Sequence, residues 1–164
     1  MKRRFVLAGL LTAITDGLFA SVQSILRGSS VMRLWQGVAS TLLGPRAMEG
    51  GMRTALIGIA MHFFVAFFWS AVFVFIVMRS DWIRARLASR AGILQVAAVY
   101  GPCIWLVMSL IVIPLLVHRP PMITPRWWVQ FFGHAIFVGL PIVAVSASDS
   151  RLLVEPPHPL VDGP

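Results

Sequence analysis

The stretch ALIGIAMHFFVAFFWSAVFVFIVM, residues 55–78, carries no Asp, Glu, Lys or Arg, and His62 is its one ionisable side chain. An α-helix rises about 1.5 Å per residue, so about 20 apolar residues cross a hydrocarbon layer about 30 Å thick. This run passes that test, and three others pass it on either side: residues 5–26, 92–117 and 127–146. The reading is an all-α, transmembrane four-helix bundle. Composition agrees. Of the 164 residues, 58% are hydrophobic and 12% charged, against about 45–50% and 25% in soluble domains. Mean hydropathy is +0.83, which excludes disordered, collagen-like and disulfide-stapled chains. Cys103 stands alone inside an apolar run, so no intrachain disulfide forms.

The first run is the weakest span, because Asp16 sits near its middle at an insertion cost of about 2.5–3.5 kcal/mol. Its Leu, Ile, Val and Phe residues, each favourable by about 0.3–0.6 kcal/mol, outweigh that cost. A cleaved signal peptide is the rival reading of the same residues. It has Lys2-Arg3-Arg4 as the charged region and small residues at Ala20-Ser21, but Leu18 occupies a position that prefers a small side chain.

The net charge of +8 does not indicate nucleic acid, because the 14 basic residues lie almost entirely between the apolar runs, where lipid headgroups and topology selection place them. With four spans both termini share one side. That side holds eight of the basic residues and the other holds six, which puts both termini in the cytoplasm. Trp82 and the pair Trp127-Trp128 stand where an aromatic belt would.

The first loop contains an amphipathic helix over about 31–43. Ser29-Ser30 can cap it, Val31, Leu34, Trp35, Val38 and Leu42 recur at helical spacing, and Gly44-Pro45 stops it. At roughly 20 Å it is too short to cross, so it is interfacial or re-entrant, and the interfacial placement is the plainer. The third loop is stiffened by Pro120, Pro121 and Pro125. Residues 149–164 read as a disordered tail.

Ionisable groups inside a span must face protein or water, so these are where a function would show. The set is Asp16, His62 and His134, joined by Gln95, Tyr100 and Gln130, with Gln23 on the polar face of span one. His62 and His134 each follow the start of their span by about seven residues, which gives them equal depth. Gly58, His62, Ala66 and Ser70 form a small-residue stripe of the kind that lets helices approach closely, as do Gly9, Ala13 and Gly17 in span one and Ala97 and Gly101 in span three. Pro102 and Pro114 interrupt the hydrogen bonding of span three.

Three functions fit this set. The first is a small proton- or ion-coupled transport or channel element lined by Asp16, His62 and His134. The second is an accessory or structural membrane protein, whose histidines and Asp16 only hold helices together through bonds to a carbonyl or to Thr12. The third is a b-type haem protein with His62 and His134 as axial ligands. There is no paired carboxylate, nucleophile elbow or His-Glu-x-x-His, so the chain reads as no enzyme, with no cofactor or metal. Its expected partners are membrane lipid and either a second copy or another membrane protein.

The string Trp35-Gln36-Gly37-Val38-Ala39-Ser40, with Leu43-Gly44, Gly50-Gly51, Gly58 and His62-Phe63, resembles a family of bacterial four-span membrane proteins. So do Ile113-Pro114-Leu115, Pro120-Pro121, Trp127-Trp128, Gly133-His134 and Val138-Gly139-Leu140-Pro141, which are similar to the YagU-like inner-membrane proteins. The resemblance covers about residues 10–145. It implies a bacterial inner-membrane location and a four-helix bundle, and it implies no activity, substrate or cofactor. Where that pattern has a basic residue in the first span, this chain has Asp16.

Overall fold

The structure, a computed structural model, describes residues 2–148, so the tail expected over 149–164 lies outside the described residues. Every regular element among them is helical. The order is α1 (Lys2–Leu26), α2 (Val31–Leu43), a 3-10 turn (Pro45–Glu49), α3 (Gly51–Phe75), a second 3-10 turn (Val77–Arg79), α4 (Asp81–Leu87), α5 (Arg90–Val107), a π turn (Met108–Val112), α6 (Ile113–Val117), α7 (Pro125–His134), a second π turn (Ala135–Gly139) and α8 (Leu140–Ala147). Four continuous helical stretches are long and apolar enough to cross a membrane: Lys2–Leu26, Gly51–Arg79, Arg90–Val117 and Pro125–Ala147. Each matches an expected span, with ends longer by at most a few residues.

The spans alternate in direction, and their contacts fall in antiparallel register. Arg4 donates to the Ser146 carbonyl at 3.4 Å, Thr15 to the Phe137 carbonyl at 2.7 Å, and Gln130 to the Gln23 side chain at 3.5 Å. These contacts tie α1 to the fourth span along its whole length, as a member of the bundle. On its other side α1 lays the stripe Gly9, Ala13 and Gly17 against α3, where Phe67 fills the space a Cβ on Gly9 would need. The third and fourth spans meet backbone to backbone. A Cβ on Gly101 would fall 2.0 Å from the His134 carbonyl oxygen, and one on Gly139 would fall 2.3 Å from that of Ala97. Close approach in lipid stabilises through dispersion rather than water release, which is why small residues hold these crossings. The third small-residue stripe does the same for α2, since a Cβ on Gly58 would fall 1.9 Å from the Trp35 carbonyl.

The capping signals act as read. Ser30 Oγ accepts from the Arg33 amide at 3.1 Å, and Gly44 ends α2 with φ 75°. The placement of α2 differs from a helix lying flat on the surface. It buries Trp35, Gln36 and Ala39, packs along the first half of α3 and touches α6. It thereby fills the space between the second and third spans at one end of the bundle. At the other end those two spans meet through aromatic side chains, with the Tyr100 and Phe73 rings 4.8 Å apart. The belt needs a similar revision. Trp82 and Trp128 are exposed, whereas Trp127 is buried and donates its indole N–H to Ser109 at 3.0 Å.

The prolines reshape two spans rather than one. A proline lacks an amide proton and crowds the carbonyl four residues earlier. α5 continues through Pro102, while Pro114 and Pro141 each follow a π turn, in which Ile113 and Leu140 donate five residues back, to Met108 and Ala135. For Pro141 the displaced carbonyl is that of Phe137, and Thr15 of α1 supplies the missing donor. Replacing Thr15 with Val keeps the shape and removes the donor. We expect a loss of about 1–3 kcal/mol in unfolding measured in mixed micelles, no comparable loss for Thr15→Ser, and partial recovery in the Thr15→Val/Pro141→Ala double variant, which regains an amide donor.

Candidate functional site

Asp16 projects from the middle of α1, one turn beyond Thr12, toward the His62 side of α3. Its Oδ2 lies 3.9 Å from His62 Nδ1, and both side chains are only 15% exposed. That separation is ion-pair range and exceeds hydrogen-bond distance. His62 Nε2 donates to the Ala13 carbonyl at 2.9 Å, and the ring leans on Trp35 with centroids 5.2 Å apart. Gly17 lies under both rings, where a Cβ would meet His62 and Trp35 at 3.5 Å, ordinary van der Waals contact. Trp35 is therefore a wall of the site, supplied by the first loop.

His134 closes the third side. Its Nδ1 donates to the Gln130 carbonyl at 2.8 Å, its ring packs on Trp105 at 4.8 Å, and it is 8% exposed. It lies within electrostatic range of both Asp16 and His62. Asp16 and His62 thus face each other at ion-pair distance inside the bundle, and His134 lies near them, bonded within its own helix.

Because Nε2–H of His62 is committed to the Ala13 carbonyl, Nδ1 is the nitrogen that faces Asp16. Asp16 Oδ1 is buried and accepts no bond from the chain, and the buried hydroxyl of Thr12 does not turn to it. Thr12 is therefore not the partner of Asp16.

A polar string leads from this cluster to the end of the bundle that carries the first and third loops. Gln130 Nε2 donates to Gln23 Oε1 at 3.5 Å, and Arg27 donates to the same oxygen at 2.9 Å. In the opposite direction aromatic and aliphatic side chains dominate, with Ser70 and Ser146 buried among them. Phe5 and Phe67 stack edge to face at 5.4 Å, and Phe73, Ile142 and Val143 are fully buried.

The other expected members lie elsewhere. Gln95 is exposed on α5 and accepts from Arg86 at 2.9 Å, because α4 folds back over the start of α5. Tyr100 donates to the Trp69 carbonyl at 2.7 Å in the second layer of aromatic packing. Neither reaches Asp16. Gln23, Trp35 and Trp105 complete the site instead. A bis-histidine haem does not fit this arrangement, since one nitrogen of His62 is bonded to a carbonyl and the other faces a carboxyl. Among the described residues no group of three or more His, Cys, Asp or Glu could hold a metal ion.

Fold and spans together define a multi-pass membrane protein of the all-α bundle class. Comparison of the chain with protein-family models, curated proteins and solved structures finds no match.

Asp16 and His62 face each other at ion-pair distance, so their substitutions are coupled. We expect Asp16→Asn and His62→Gln to be non-additive in stability, with an interaction of about 0.5–3 kcal/mol across the double-variant cycle. Additive losses would separate the two groups.

Proposed function

We propose that the protein is a small proton-coupled transport or channel element in which Asp16, His62 and His134 take up and release protons within the membrane. The observation that carries this reading is a carboxyl and an imidazole 3.9 Å apart, at the buried end of a polar string that reaches one side of the bundle. Packing alone does not need that string. A helix contact is satisfied by His62 on the Ala13 carbonyl, whereas a carboxyl buried at mid-span costs stability and is retained where protonation does work. On the far side Phe5 packs on Phe67 and Phe73 on Tyr100, ring contacts that suit access from one side.

The charge pattern supports a bacterial inner-membrane location with both termini in the cytoplasm. Arg79, Arg84, Arg86 and Arg90 lie at the same end as Lys2, Arg3 and Arg4. In this orientation the polar string opens outward.

Liposomes loaded with a pH-sensitive dye and placed under an inside-negative potassium diffusion potential test the reading. The wild-type protein should carry protons inward faster than empty vesicles. Asp16→Asn should abolish the excess, and the surface variant Gln95→Ala should keep it. Wild-type flux equal to that of empty vesicles would favour an accessory, purely structural role.

A further inference from the structure

Between the second half of the third span and the start of the fourth lies a groove of about 490 Å³, open at the end of the bundle that bears the proline-rich loop. Its size falls within the range of about 300–1,000 Å³ typical of small-ligand sites. Ile113, Pro114 and Val117 form one apolar wall, Trp105 and Trp127 lie deeper, and Met122 stands at the mouth. Pro114 and the π turn before it widen the third span here.

The rim has a different chemistry. Arg119 and Arg126 line it, and Arg27 lies within electrostatic range of Arg126. Among the described residues no carboxylate pairs with Arg27, Arg119 or Arg126. The Arg27 guanidinium is bonded to Gln23, and among the described residues no side-chain hydrogen bond engages Arg119 or Arg126.

We infer that this groove is a binding site for an anionic phospholipid, with an acyl chain along Ile113, Pro114 and Val117 and the phosphate held by Arg119 and Arg126. The argument is complementarity at one depth. A free anion would need the guanidiniums and not the apolar walls, and a hydrocarbon would need the walls and not the guanidiniums. A lipid phosphate with its chain presents both, in the order the groove does, from the interface inward. Planar guanidinium suits a phosphate better than an ammonium would, and a shared anion relieves the repulsion among the three cations.

Native mass spectrometry of the full chain in detergent, titrated with phosphatidylglycerol and separately with phosphatidylcholine of the same chains, tests this. Phosphatidylglycerol should bind the wild type at one site in clear preference to phosphatidylcholine. The Arg119→Gln/Arg126→Gln variant should bind it about 25-fold more weakly, about fivefold for each lost cation. Val117→Trp, which fills the groove and leaves both arginines in place, should abolish that site while helicity by circular dichroism is unchanged. It also stands as the deciding variant if the double arginine substitution does not fold. Equal binding of the two lipids, or retention of phosphatidylglycerol by Val117→Trp, would overturn the proposal. So would displacement of the lipid by inorganic phosphate at equal concentration, which would mark a headgroup-only anion site.

Discussion

Hydrocarbon offers no hydrogen bonds and solvates no charge, and the arrangement of this bundle follows from that constraint. Each polar group that enters the spans must find its partner on a neighbouring helix. α1 bears most of that burden. It presents Asp16 and the Ala13 carbonyl to α3, Thr15 to the carbonyl that Pro141 displaces, and Gln23 to Gln130. The span with a carboxyl at its middle is therefore the one that organises the others, and its polar residues are why.

The same constraint explains why the site and the packing cannot be separated. Gly58 is small so that α2 can carry Trp35 inward against His62. Backbone contact at Gly101 sets the position of His134. A larger side chain at either glycine would shift a helix and move an imidazole with it. The proton-bearing geometry is thus a product of helix approach distances, set by residues that have no chemistry of their own.

The spans were legible because length and hydropathy are sufficient criteria in a membrane, and the all-α class followed from them. The facing of Asp16 and His62 was legible from their polarity within spans and from the stripe of small residues containing His62. Gln95 and Tyr100 misled because polarity within a span does not say which way a residue faces. Gln95 lies near the end of its span, where α4 supplies Arg86, and Tyr100 finds a carbonyl that sequence does not mark. The π turns were hidden because proline alone does not record how the chain before it rearranges, and at Pro141 the donor comes from another helix. The inward placement of α2 was hidden for a related reason. Amphipathicity shows that a helix has an apolar face, and only the partner, here the Gly58 notch of α3, shows that the face meets protein rather than lipid.

Nitrogen-15 magnetic resonance of His62 in lipid bilayers tests the placement of His62 between the Ala13 carbonyl and Asp16 most directly. The account predicts Nε2 carrying a hydrogen and bonded, with an Nδ1 signal that shifts when Asp16 is replaced by Asn and stays in place when Gln95 is replaced by Ala. A His62 spectrum indifferent to Asp16→Asn, with neither nitrogen hydrogen-bonded, would contradict it.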